Sequence, residues 1–392
     1  MKKPQLLVIS LDAVSSVDVD LLLKCPNFRK LSKKGTLVRE VDSVFISNTY
    51  PIHTSMLTGV YPKDHGIIDN VYMEYGEVEP HWRWYFSLIK RDNVITSALK
   101  KKYKIATIFW PVTALAPVKY RIAEIIARDH ESQISVVLKN STKLFTIANF
   151  LKYGKNVQGS KQPNLDDFST SVTCELLEKQ KAEFILLHLT DVDTTKHHHG
   201  IDSKETKAAL LRMDERIGRF IQAAGDNYQL LLVSDHAQVD VENHLNINAI
   251  NTFRDTWWHL SEGSAFLLEK GHLDNKTFKE IKTWISGQSA FGRFLTNEEM
   301  ETSGFKRVSR LGISAKANWA FCFPGHNHIG NHGYPLDLPA YQPFYFVKGN
   351  DVKENQSIKG GTIMDVCPLI LKLLNLPDFP CTGSLNNKIF NK

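Results

Sequence analysis

The chain is poor in the features that announce many protein classes. Its 392 residues hold only five cysteines, Cys25, Cys174, Cys322, Cys367 and Cys381, odd in number, far apart and without paired metal-ligand spacing. That pattern excludes a disulfide-stapled scaffold or a thiolate zinc site, and free thiols in a reducing cytoplasm are the expectation. Long hydrophobic runs are also missing. No stretch approaches a membrane span, and because the opening MKKPQLLVISLD enters an apolar strand at once, no cleavable leader is expected there. Charge of one sign is not in large excess. A net charge of +6 with no recognition motif argues against binding a nucleic-acid polymer, and runs such as Lys100–Lys102 read as a solvated helix face. Internal repeats and low-complexity linkers are absent.

What remains is an ordinary globular composition, 42% hydrophobic and 23% charged. Its distinguishing mark is a set of Asp, His and Thr residues placed just after apolar runs or in turns. The run Gln5–Leu11 reads as a central parallel strand buried on both faces, with Asp12 emerging at its C-terminal end, where open α/β sheets bind ligands. Phe184–Leu189 and Gln229–Val233 read the same way, leading to Asp193 and His197 and to Asp235 and His236. Asp193 and His197 are four apart, so one helical turn brings them to the same face. Thr49 and His332 lie in the turn-like segments SNTYP and GNHGY. Carboxylate and imidazole without thiolate suit zinc in a catalytic site and tolerate manganese or iron.

In order, the segments LVISLDAV, NTYPIHTSMLTGVYPKDHGIIDN, DVDTTKHHHG, VSDHAQ and GNHGYP resemble the motifs of the alkaline phosphatase superfamily. The branch they resemble is the type I phosphodiesterase/nucleotide pyrophosphatase family, over Leu7–Pro335 and more weakly to the closing segment Met364–Leu374. The resemblance implies a three-layer α/β sandwich, with a mostly parallel sheet flanked by helices and a smaller inserted cap. The expectation is a single catalytic domain over 1–392, with insertions at about 71–181 and a cap at about 250–321.

The same resemblance implies two divalent metal ions, zinc being the first choice, one held by Asp193, His197 and His332 and the other by Asp12, Asp235 and His236. Thr49 is then the nucleophile, bound to the second ion. Metal coordination makes a Thr hydroxyl reactive at neutral pH. Phosphodiester or nucleotide pyrophosphate cleavage through a phospho-threonine is expected, with a small phosphate-ester or nucleotide substrate. Phosphomonoester or phosphonate hydrolysis and a catalytically inactive metal- or phosphate-binding protein are the alternatives.

Pro51 and Gly59 bracket a short helix after Thr49, whose N-terminal amides would favour an anion. The family pattern leads to an Asn three residues beyond the nucleophile, and Ile52 stands there instead. Asn48, His53 or the Thr49 amide are the candidate replacement donors. Asp69 and Asn70 match a family segment and read as structural. Asp191 is the reserve for Asp193. Trp82, Trp84, Tyr85 and Trp110 are candidate substrate contacts, since aromatic faces could stack on a nucleobase or aryl group.

Overall fold

In the computed structural model, which describes residues 3–128 and 131–391, every residue of the strand Leu6–Leu11 is buried. Pleating sends successive side chains to opposite faces. Leu6 and Val8 join one apolar cluster while Leu7, Ile9 and Leu11 join another. The neighbouring strands Phe184–Leu189 and Gln229–Val233 divide their residues the same way and pair with Leu6–Leu11 in parallel on its two sides. A near-continuous apolar run is therefore required here, because neither face meets water.

The full sheet has eight strands in the order Gln356–Lys359, Thr36–Arg39, Tyr345–Lys348, Gln229–Val233, Leu6–Leu11, Phe184–Leu189, Ile105–Ile108 and Tyr120–Ile122. All neighbours are parallel except Tyr345–Lys348, which runs antiparallel to both of its partners. One face is covered by the helices Thr49–Thr58, Val94–Lys100 and Val366–Leu373, through residues such as Ile52, Met56, Val94 and Ile370. The other carries Pro26–Ser32, Asn164–Glu178 and Lys204–Ala224, through Phe28, Val172, Met213 and Phe220. The result is the expected three-layer sandwich. Replacing Leu7 by Ala would open a cavity between two layers and cost about 2–5 kcal/mol.

A second, antiparallel sheet of Phe291–Phe294, Gly312–Ala315, Ser264–Glu269 and Thr256–Ser261 packs with the helix Asn275–Ser286 around Ile281, Ile285 and Trp258. It occupies the span read as the cap. A third small sheet sets Val239–Leu245 between Asn318–Phe321 and Gly330–Asn331. The span 71–181 does more than cover the site. It also supplies Ile105–Ile108 and Tyr120–Ile122 to the main sheet and the helix Asn164–Glu178 to its face.

Candidate metal centre and phosphate site

Three adjacent parallel strands end together and deliver most of the candidate ligands. Asp12 follows Leu11, and Asp235 and His236 lie just beyond Val233. The helix Asp191–His199 begins two residues past Leu189 and carries Asp193 and His197. Thr49 opens the helix Thr49–Thr58, and His332 follows the short strand Gly330–Asn331 from the third sheet. Sequence-remote residues thus meet because neighbouring strands share one carboxyl edge.

They meet as two groups. In each of Asp12–Asp235–His236 and Asp193–His197–His332, one potential ligand atom per residue lies within 4.8 Å of the others. His236 Nε2 is 3.4 Å from Asp12 Oδ1 and 3.3 Å from Asp235 Oδ2, and His197 Nε2 is 3.4 Å from Asp193 Oδ1. The rings of His236 and His332 stand 4.2 Å apart, so the two groups adjoin. Thr49 Oγ1 lies 3.3 Å from His236 Nε2. Asp12 Oδ1 and Asp235 Oδ2 are buried without a hydrogen-bond partner. An orphaned buried carboxylate oxygen is costly unless a cation satisfies it, so these donors fit a divalent metal.

Charge in the pocket points the same way. Burial, then the nearby carboxylates of Asp193 and Asp235, pushes Asp12 well above the usual carboxylate range. Burial would also raise Asp235, but the imidazoles of His236, His53 and His188 more than offset it and hold the group down to about 2. Packed acids of this kind call for positive charge between them.

Supporting contacts orient the ligands. His197 Nδ1 donates to the carbonyl of Gly330 at 2.8 Å, leaving Nε2 to face Asp193. Gln238 Nε2 donates to Asp193 Oδ1 at 2.6 Å. Lys196, almost fully buried, donates to the carbonyl of Ala13 and to Asp18, clamping the turn after Asp12. Asp191, the reserve candidate, is committed elsewhere. Arg212 and Arg216 hold both its oxygens at 2.8–2.9 Å, and although burial opposes ionisation, these guanidinium groups keep it below the usual carboxylate range.

The proposed substrate contacts divide. Trp82, Trp84 and Tyr85 line a cavity of about 750 Å³ that also reaches Asn48, Asn70 and His332. Trp110 does not reach it. Fully buried, it packs edge-on against His53 with ring centroids 5.0 Å apart. His53 is also beneath the site, bonded through Nδ1 to the carbonyl of Thr49 and through Nε2 to Ser10 Oγ, and burial lowers it to about 3. A neutral imidazole sealed there braces the nucleophile's peptide and touches no substrate. Asn48 lines the cavity, but its amide is engaged with Asp69, Ser261 and His332.

Position 52 is likewise misread as a place for a phosphate donor. Ile52 is fully buried in the apolar cluster under the sheet and does not line the cavity. A cavity-lining amide that the sequence reading took as structural is Asn70. Its Oδ1 accepts from the Tyr50 amide at 2.8 Å, which fixes the side chain beside Thr49, while its Nδ2 has no acceptor among the described residues. Also missed were His188, which joins Glu124 at 2.8 Å to Asp12 at 3.1 Å, and a group of Glu262 and His328 beside His197. The signal for His188 was present, as a single imidazole inside the apolar run Phe184–Leu189.

An α/β sandwich with carboxylate–imidazole groups around a Thr at a helix start defines a metal-dependent hydrolase of the alkaline phosphatase superfamily. The family model described as "Type I phosphodiesterase / nucleotide pyrophosphatase" matches residues 6–335, and the chain belongs to that family. Among its relatives is the Bos taurus protein named Bis(5'-adenosyl)-triphosphatase ENPP4, 21% identical over 402 residues covering 98% of this chain and 81% of that one. The human ectonucleotide pyrophosphatase/phosphodiesterase family member 5 is 23% identical, over 92% of this chain and 72% of that one. A solved structure of murine ectonucleotide pyrophosphatase/phosphodiesterase 5, an inactive Thr-to-Ala variant in complex with AMP, superposes with a TM-score of 0.72 at 20% identity, covering 99% of this chain and 100% of that one.

These relatives overturn one expectation. Proteins named ectonucleotide pyrophosphatases, together with a venom phosphodiesterase of Crotalus adamanteus 21% identical over 93% of this chain and 45% of that one, are not cytoplasmic company. Scattered, unpaired cysteines had suggested a reducing compartment, but low cysteine content is compatible with any compartment once a large core supplies the stability.

Proposed function

We propose that the chain is a two-zinc phosphohydrolase that cleaves phosphodiester or nucleotide pyrophosphate bonds of small nucleotides through a phospho-threonine at Thr49. The observation that carries this reading is the position of Thr49 Oγ1, 3.3 Å from His236 Nε2, which itself faces two buried carboxylate oxygens that have no hydrogen-bond partner. Asp12, Asp235 and His236 would hold one ion and Asp193, His197 and His332 the other. Zinc there would supply Lewis acidity, favouring an ionised threonine oxygen and neutralising charge on the phosphoryl group.

The protein's own groups do the rest. Thr49 presents its oxygen from the first turn of the helix, held by His53 on its carbonyl. The Thr49 amide and Asn70 Nδ2, neither with an acceptor among the described residues, are the donors that would meet phosphoryl oxygens, aided by the helix N-terminus. Trp82, Tyr85, Tyr72 and Phe323 offer aromatic faces along the cavity for a base. The AMP bound to the murine relative is of the size and chemistry that such a cavity admits.

The test is turnover of p-nitrophenyl thymidine monophosphate beside p-nitrophenyl phosphate and phosphonoacetate, with and without chelator. The diester should be the preferred substrate, chelation should stop its hydrolysis and added zinc should restore it. Thr49→Ala should lose turnover by about 10³-fold or more while retaining its metal. Undiminished turnover in Thr49→Ala would sink the mechanism.

A further inference from the structure

We propose that Cys367 and Cys381 are a redox-active pair that closes to a disulfide, stapling the C-terminal segment onto the helix Val366–Leu373, against the glycine that ends the Thr49 helix. A Cβ built on Gly59, the residue that ends that helix, would lie 2.7 Å from the Cβ of Cys381 and 3.0 Å from the Cβ of Cys367. Both cysteines therefore converge on one point, where Cys381 Sγ donates to the carbonyl of Gly383 at 3.4 Å. Two Cβ atoms this near one point can stand within the roughly 3.5–4.5 Å of each other that a disulfide takes.

The surroundings favour the reaction. Cys367 is fully buried in the helix Val366–Leu373, whereas Cys381 is partly exposed and lines a cavity of about 630 Å³ with Pro368 and Phe379. The neighbouring Cys367 thiol holds the Cys381 thiol down to about 7, and burial keeps Cys367 high. An accessible thiol of low pKa beside a buried partner is the arrangement of an attacking and a resolving cysteine. Gly59, at φ +68, stands where any side chain would strike the pair, and its carbonyl accepts from the amides of Thr382 and Gly383 at 2.7 and 2.9 Å. The staple would lock that contact.

Closure proceeds by exchange with a low-molecular-weight disulfide. The Cys381 thiolate attacks one of its sulfurs, forming a mixed disulfide and releasing one small thiol. Cys367, giving up its proton, then attacks Cys381 Sγ and expels the second. Two protein thiols and one small disulfide thus become one protein disulfide and two small thiols.

The experiment treats the folded, full-length protein with glutathione disulfide, blocks remaining thiols with N-ethylmaleimide in denaturant, and maps the peptides by mass spectrometry. The expected result is loss of two of the five blockable thiols, a peptide linking Cys367 to Cys381, and a Tm raised by a few degrees and lowered again by reductant. In Cys381→Ser all four remaining thiols should stay blockable and the Tm should ignore the redox state. Five blockable thiols in the treated wild type, a different pairing, or a glutathione adduct on Cys381 that never resolves to the linked peptide would overturn the proposal. Because these readouts use the wild type, they stand even if the variant folds poorly.

Discussion

Asn48 Oδ1, one residue before Thr49, accepts a hydrogen bond from His332 Nδ1 at 2.9 Å. The donor assignment follows from the other end of the amide, whose Nδ2 already donates to Asp69 Oδ1 and Ser261 Oγ. With the proton on Nδ1, His332 Nε2 is left as a lone pair aimed into the ligand group. One short loop therefore presents the nucleophile and sets the tautomer of an imidazole 284 residues away.

Asn48→Leu keeps the approximate volume and removes the acceptor. Metal affinity should fall by about 10–100-fold, as for other residues that orient a ligand from behind. A competition titration of zinc against a chromogenic chelator checks it, and an unchanged affinity would mean that His332 needs no such brace.

Asp191 and Asp193 separate stability from metal binding. Asp191→Asn would leave Arg216, nearly buried, facing a neutral amide, and breaking a buried pair in this way costs about 3–5 kcal/mol. Its Tm should fall while its bound metal is retained. Asp193→Asn should do the reverse, losing metal with a small change in the Tm of the chelated protein. Elemental analysis beside thermal melts reads both, and metal loss in Asp191→Asn with retention in Asp193→Asn would reverse the assignment.

How much of this was legible depended on whether a residue's neighbours in sequence stayed its neighbours in space. The strands Leu6–Leu11, Phe184–Leu189 and Gln229–Val233 were readable because burial on both faces demands unbroken apolar runs, and the ligand-type residues stood out at their ends. Gly59 marked the end of the Thr49 helix correctly. The helix itself opens at Thr49, ahead of Pro51, since proline is tolerated in a first turn whose amides lack intrahelical acceptors. Trp110, just past a strand, and His53, one helical turn after Thr49, both point into the core, and sequence shows that a side chain lies near the site without showing which way it points. The role of Asn70 depends on a loop folding back 20 residues to Tyr50, and no local pattern encodes that contact.

Asn70 should behave as a transition-state donor. Removing one prearranged donor to developing charge typically costs about 10²–10³ in kcat, so Asn70→Ala should lower kcat on a diester substrate by that order. The Tyr50 amide loses its acceptor at the same time. Asn70→Asp, which retains an acceptor oxygen for that amide yet cannot donate, separates the two effects. If Asn70→Asp turns over like the wild type, the amide proton of Asn70 has no part in the reaction.

His65 predicts an acid sensitivity independent of the metal ligands. Its Nδ1 accepts from the Ile67 amide at 3.2 Å and its Nε2 bonds Ser55 Oγ at 3.0 Å, tying the turn Pro62–His65 to the Thr49 helix. Burial lowers the imidazole from 6.5 to about 3. The folded state thus holds His65 neutral where the unfolded chain protonates it. Its stabilising contribution is complete above pH 6.5 and is lost progressively as pH falls toward 3, by up to about 1.4 kcal/mol per pH unit. His65→Gln, neutral throughout, should be less stable at pH 7 but show a shallower decline between about pH 6.5 and 5. Denaturant unfolding of both proteins in chelator, which removes metal release from the comparison, measures the two slopes. Parallel slopes would show that His65 titrates alike in the folded and unfolded chains.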